Sequence, residues 1–101
     1  MTFERIGYAA EGGRATITFR RPERMNPLDW STVKELRRAV AEAEADAALR
    51  AVVVTGSGRA FSAGGDLAGY ISLYRDAAGF RGFLEDFFEL LVAIERSRLV
   101  Y

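Results

Sequence analysis

Four glycines stand within the twelve residues Gly56-Ser57-Gly58-Arg59-Ala60-Phe61-Ser62-Ala63-Gly64-Gly65-Asp66-Leu67. Glycine has no Cβ, so such a run marks tight turns and lets main-chain N–H groups approach a ligand closely. The chemistry it suits is recognition of negative charge by backbone donors, either on a phosphate or on the oxygen of a reacting carbonyl. The rest of the 101-residue chain narrows the choice. It contains no histidine and no cysteine, which excludes Ser-His-Asp hydrolysis, thiolate nucleophiles, disulfides and His- or Cys-ligated metals. Acid/base work is left to carboxylates, Tyr, Lys or the backbone. Fourteen Lys plus Arg balance fourteen Asp plus Glu, so no overall field draws the chain to nucleic acid or to an anionic membrane. Any anion site is local, and the densest basic stretch is the loop Arg20-Arg21-Pro22-Glu23-Arg24.

These segments need a scaffold. With half of its residues hydrophobic and 28% charged, the chain reads as one soluble globular domain over residues 1–101. Glu4 and Glu11 lie where a signal peptide needs a basic start and an apolar run, so a cytoplasmic location without membrane insertion is expected. Ala15, Ile17 and Phe19 alternate with polar neighbours after the pair Gly12-Gly13, predicting a hairpin over residues 3–20. Asp29 is a good N-cap, and Thr32 to Glu35 offers a capping box if the helix starts later. Val33, Leu36, Val40, Ala43 and Ala47 then predict one apolar stripe on a helix ending about Ala48. The β-branched run Ala51-Val52-Val53-Val54-Thr55 predicts a parallel strand covered on both faces, completing a βαβ unit.

The glycine-rich segment comes straight off that strand, at the end where open α/β sheets collect ligands. Asp66 is placed to cap a short helix through about Tyr70. A longer helix is expected from about Asp76 to Ser97, its main stripe formed by Phe80, Phe83, Phe87, Leu90, Leu91 and Ile94. Arg98-Leu99-Val100-Tyr101 reads as the start of a further strand. On residues alone, three readings of the glycines stay open: phosphate binding, a plain turn from sheet to helix, and oxyanion stabilisation. Nucleotide fingerprints fit poorly, since Phe61 stands where the third glycine of a dinucleotide motif belongs and no Gly-Lys-Ser/Thr closes the loop.

Two longer stretches carry more information. Arg20-Arg21-Pro22-Glu23-Arg24-Met25-Asn26-Pro27-Leu28 resembles the "RPE(R/K)xNAL" segment of the crotonase superfamily, the enoyl-CoA hydratase/isomerase group. Ala51 to Leu67 resembles that family's "VVLTGxGxAFSAGGDL" segment, in family order and with a helix between the two. One departure is Pro27, where the family usually has Ala. The resemblance implies an α/β, crotonase-like ββα-spiral fold, of which this chain is expected to form the N-terminal part. It also implies an acyl-CoA thioester substrate, with coenzyme A entering as part of the substrate rather than as a resident cofactor, and no metal.

By the same resemblance, the Gly65 N–H is one of two oxyanion-hole donors, and Ala63 lines the adenine pocket. Arg24, Met25 and Pro27 lie along the adenosine and pantetheine, Arg24 or Arg59 pairs with a phosphate, and Gly64, Asp66 and Leu67 complete the binding segment. Asp66 is better read as a helix cap than as a base. Hydration of a 2-enoyl-CoA is the expected reaction, isomerisation or thioester hydrolysis being alternatives. The family's second donor and its glutamates are expected beyond this chain, which alone would hold half an oxyanion hole and be inactive. A non-catalytic CoA-binding or assembly module is the competing class. Family members imply a homotrimer or hexamer for the full-length protein, and the 80–94 face is expected to self-associate in the isolated chain.

Overall fold

The computed structural model describes residues 2–65, 69–71 and 75–101. Strand β1 (Ile6–Glu11) and strand β2 (Arg14–Phe19) form the expected hairpin, antiparallel from Ile6 opposite Phe19 to Glu11 opposite Arg14. Gly12 and Gly13 take φ of +61° and +82°, the positive values that a two-residue hairpin turn demands. After a single 3₁₀ turn at Pro22–Arg24 come the two-residue strand β3 (Pro27–Leu28) and helix α1 (Trp30–Ala45). Strand β4 (Ala51–Gly56) then pairs parallel to β2, Arg14 opposite Ala51 through Phe19 opposite Gly56. The main sheet therefore runs β1-β2-β4, with Val100 bridged to Ala51 on the far side of β4. A separate small sheet joins β3 to strand β5 (Gly64–Gly65), and helix α2 (Ala77–Glu95) follows. No helix among the described residues is long and apolar enough to cross a membrane.

Asp29 caps α1, its Oδ1 accepting the Thr32 N–H at 2.8 Å. Glu35 closes no capping box. Its Oε1 accepts the N–H groups of Glu4 and Arg5 at 3.0 and 2.9 Å and so pins the segment before β1 to the helix. The helix stops at Ala45, three residues before the expected end. Asp46 turns extended and its Oδ1 accepts the Ala48 N–H at 3.0 Å, a local bond that competes with another helical turn. Ala47 is consequently exposed and leaves the apolar stripe. The Arg98 guanidinium donates to the carbonyls of Glu44, Asp46 and Leu49, satisfying acceptors that a helix end leaves open.

Val33, Leu36, Ala39, Val40 and Ala43 of α1 bury against Ile6, Ala15, Ile17, Phe19 and Val52 of the sheet. Burying a side chain of Val or Leu size stabilises by about 1.5 to 3 kcal/mol, so this seam dominates the cohesion of the fold. Among the described residues, only this face of the sheet is covered. Val52 is buried but Val53 is 41% exposed and Thr55 is open, so the expectation that β4 is covered on both faces fails in this chain. The register places Thr16 beside Val53 and Thr18 beside Thr55 on the uncovered side.

Helix α2 packs on α1, joined through Asp86, which accepts from the Trp30 indole N–H at 2.6 Å and pairs with Arg37. Lys34 Nζ lies 4.3 Å from the centre of the Trp30 ring. The Trp30 hydrogen bond, with Arg37 behind it, holds the Asp86 carboxyl below its ordinary value. Along α2 only Phe83 and Leu90, one heptad apart, are buried. Leu84, Phe88 and Leu91 are 49, 65 and 51% exposed, because one neighbouring helix covers only one side of a helix that is apolar on several. Asp76 stands at the N-cap position of α2 without a side-chain cap bond.

Candidate active site

The two motif segments, about thirty residues apart in the chain, meet at one buried side chain, Asn26. Met25 and Asn26 both adopt left-handed backbone, φ +62° and +52°, turning the chain sharply out of the 3₁₀ turn. Asn tolerates that conformation because its short amide can bond locally. Here Asn26 Oδ1 accepts the Arg21 N–H, and its Nδ2 donates to the carbonyls of Ser57 and Ala60, all three bonds at 2.9 Å. The residue is 1% exposed, so it ties the basic loop to the glycine-rich segment out of water. Arg21 strengthens the same corner with a 2.6 Å ion pair to Asp29, the cap of α1. From the other side, Ser57 donates through both N–H and Oγ to the Phe19 carbonyl.

The next contacts aim the segment that ends in Gly65. The Ala63 N–H donates to the Met25 carbonyl at 2.8 Å. Ser62 Oγ donates to the Asn26 carbonyl at 2.6 Å and accepts the Gly64 N–H at 3.0 Å. Gly64 has φ +92°, a value that a residue with a Cβ resists. Strand β5 then lies parallel to β3, Gly64 opposite Pro27 and Gly65 opposite Leu28. Proline has no N–H, so at this register Pro27 can offer the ladder only its carbonyl. Pro27 is itself buried in this pairing.

Gly65 is exposed, yet one side of it is occupied. A Cβ there would lie 2.4 Å from Cε2 and 2.5 Å from the hydroxyl oxygen of Tyr70. Arg24, Met25 and Ala63 are exposed around this corner and Gly64 is half-buried, so the structure brings together six of the eight expected site residues. Asp66 and Leu67 lie outside the described residues, as do the start of the expected short helix and any dipole it would direct at Gly65. Arg24 and Arg59 are both solvent-facing. Asn26, Ser62 and Tyr70 were not among the expected site residues. A residue before proline is pushed away from helical geometry, but nothing local in Asn26-Pro27 announces that the Asn26 amide meets carbonyls about thirty residues on. Among the described residues no group of three His, Cys, Asp or Glu is placed to hold a metal. A groove of about 900 Å³ runs along α2 between Ala77 and Leu91 and is lined by neither motif segment.

The geometry can do one thing directly: present a backbone donor, fixed by two strands and a buried amide hub, beside a cluster of exposed basic and apolar side chains. Comparison with known proteins places that arrangement. The profile of the enoyl-CoA hydratase/isomerase family matches residues 9–100. A Rhodobacter capsulatus protein named as a probable enoyl-CoA hydratase is 46% identical over 67 residues, 66% of this chain and 25% of its own length. The solved enoyl-CoA hydratase/isomerase of Xanthobacter autotrophicus superposes with a TM-score of 0.85 at 36% identity, over 95% of this chain and 36% of that one. One from Mycobacterium paratuberculosis gives 0.85 at 34%, over 94% and 38%. The chain thus spans a little over a third of the solved relatives' length and about a quarter of the curated one's. With the profile running through the arginine-rich loop, α1 and the glycine-rich segment alike, and the crotonase-like α/β fold shared with solved members, the chain belongs to the enoyl-CoA hydratase/isomerase family of the crotonase superfamily.

Proposed function

We propose that this chain provides the thioester-holding part of an acyl-CoA site, in which the Gly65 N–H donates to the thioester oxygen and stabilises the enolate formed as water adds to a 2-enoyl-CoA. The observation that carries the reading is the β3–β5 pairing, which fixes Gly65 at an exposed corner beside Arg24, Met25 and Ala63. A donor already in place when negative charge develops is worth about 3 to 4 kcal/mol in other enzymes, because no reorganisation accompanies the reaction. Arg24, Met25, Pro27 and Ala63 sit at the same corner and would follow the CoA moiety, with Arg24 or Arg59 offering charge-assisted bonds to its phosphates. Coenzyme A is then part of the substrate. A second donor and the acid/base carboxylates belong to other parts of such a site, and isomerisation or thioester hydrolysis would use the same enolate or oxyanion stabilisation.

Calorimetry combined with amide NMR tests this. Acetyl-CoA is expected to bind the chain in the micromolar range and to move the Gly65 amide resonance, while free CoA moves the amides of residues 24–26 and 63 without that shift. Binding of neither compound, or shifts confined to α2, would sink the reading.

A further inference from the structure

We infer that Ser62 is a positioning residue for the Gly65 amide: its hydroxyl clamps the Gly64 N–H against the Asn26 carbonyl and thereby sets the direction of the amide that follows. The inference rests on the acyl-CoA reading above and names the side chain that holds its donor in place. A serine hydroxyl has one hydrogen to give and accepts through its lone pairs. Here the hydrogen goes to the Asn26 carbonyl at 2.6 Å, and the oxygen accepts the Gly64 N–H at 3.0 Å. The two bonds run in one direction, from the Gly64 N–H through the Ser62 hydroxyl to the Asn26 carbonyl, an order in which each polarises and strengthens the other. The far end of this relay is anchored. Asn26 is 1% exposed, and its amide is tied to Arg21, Ser57 and Ala60.

Gly64 needs such a clamp. Rotation about its two soft backbone bonds swings the peptide plane that carries the Gly65 N–H. Glycine restrains those bonds less than any other residue does. A Cβ built on Gly64 would meet nothing within 4 Å, so crowding on that side does not hold its φ at +92°. The β3–β5 pairing sets Gly64 opposite Pro27, but Pro27 brings no N–H to it. One residue earlier, the Ala63 N–H is fixed on the Met25 carbonyl at 2.8 Å. Gly64 is therefore the swivel between an anchored residue and the donor, and the Ser62 hydroxyl locks it. Ser62 acts through Gly64 rather than on the thioester.

The test uses acetyl-CoA labelled for NMR at its thioester carbonyl carbon, with free CoA as the control, on the 101-residue chain. Calorimetry gives the affinities, and circular dichroism checks the fold of each variant. In the wild-type chain the bound carbonyl resonance is expected to move downfield as the Gly65 N–H polarises it. In Ser62→Ala the affinity for acetyl-CoA relative to free CoA is expected to fall at least about fivefold, the worth of one ordinary hydrogen bond, and the bound resonance to return toward its free position. Ser62→Thr, which keeps the hydroxyl, retains both. Ser62→Cys, whose thiol donates and accepts weakly, falls between them and decides the matter should the alanine variant unfold. A folded alanine or cysteine variant with the wild-type affinity ratio and carbonyl shift overturns the inference and leaves the Gly65 reading standing. Equal weakening of acetyl-CoA and free CoA, with the shift retained, does the same, because a hydroxyl that only held the loop together would act on both. If the wild-type chain binds acetyl-CoA without a carbonyl shift, or not at all, the acyl-CoA reading fails and this inference falls with it.

Discussion

Truncating Asn26 to alanine removes the buried amide that joins both halves of the site, and the cost can be worked from its bonds. Three hydrogen bonds of 2.9 Å are lost at a residue that is 1% exposed. At about 1 kcal/mol net for each bond, they sum to about 3 kcal/mol. Alanine must also hold the left-handed backbone that Asn26 adopts at φ +52°, which adds about 1 kcal/mol. The total of about 4 kcal/mol is a large share of the roughly 5 to 15 kcal/mol that keeps a domain of this size folded. With a urea slope of about 1 to 2 kcal/mol per molar, the unfolding midpoint should fall by about 2 to 4 M. Asn26→Gly, which accepts the backbone but not the bonds, should lie about 1 kcal/mol above Asn26→Ala.

Asn26→Asp separates hydrogen bonding from shape. It keeps an acceptor for the Arg21 N–H but turns a second carboxylate oxygen toward the Ser57 and Ala60 carbonyls. Burial among carbonyls raises the folded pKa of such a carboxyl, so the folded state binds the proton more tightly than the unfolded one. The variant should be least stable at neutral pH and recover as pH falls through that raised value. Urea titrations at pH 7 and pH 4.5, with amide exchange at Ala63 and Gly64, read all of this. An Asn26→Ala penalty below about 1 kcal/mol, or an Asn26→Asp variant indifferent to pH, would refute the reasoning.

Two ionisable groups make further predictions. Asp86, whose carboxyl is held low by the Trp30 indole and then by Arg37, contributes stability that is present above the unfolded carboxylate range near pH 4 and lost as pH falls through the lower folded value. Asp86→Asn should flatten the acid limb of the stability profile, cost about 1 to 2 kcal/mol at pH 7, and shift Trp30 fluorescence; an unchanged acid limb would remove Asp86 from the account. The Tyr101 phenol is pushed up to about 12, by burial first and by Glu44 beside it second, with its hydroxyl 3.3 Å from Glu44 Oε1. Because the fold favours the neutral phenol, stability is flat below pH 10 and declines between 10 and about 12 as the unfolded chain ionises first. Phenolate absorbance should show Tyr101 titrating late, moved earlier by Glu44→Gln; a spectrum in which all tyrosines titrate together near 10 would contradict it.

Local pattern made much of the fold legible. Alternation in Ala15 to Phe19 and the Gly12-Gly13 pair specify the hairpin, and Asp29 marks the start of α1, because both signals act over a few residues. The motif residues Arg24, Met25, Pro27, Ala63, Gly64 and Gly65 were legible by their resemblance to the family, and the structure gathers them at one corner. What stayed hidden depends on distant partners. The Asn26 amide has meaning only once Ser57 and Ala60 arrive, and Tyr70 only once Gly65 lies under it. The end of α1 was misplaced because Asp46 can bond forward to Ala48 as readily as it can sit in a helix. The coverage of β4 was misjudged because a β-branched run states that a strand is apolar, not that the chain in hand supplies both covering layers.

The parallel pairing of β2 with β4 also sets an order of events. Arg14 and Ala51 are opposite each other, 51 − 14 = 37 positions apart, whereas the β1–β2 hairpin closes across Gly12-Gly13. Closing a loop of that size costs about 3 kcal/mol of chain entropy before any pairing returns it, so the hairpin and a nascent α1 should form first and β4 should dock late. The Asn26 bonds to Ser57 and Ala60 lie wholly within that late step. Gly65 is therefore aimed only in the last stage of folding, and substitutions at the Asn26 hub should accelerate unfolding while leaving the refolding rate almost untouched.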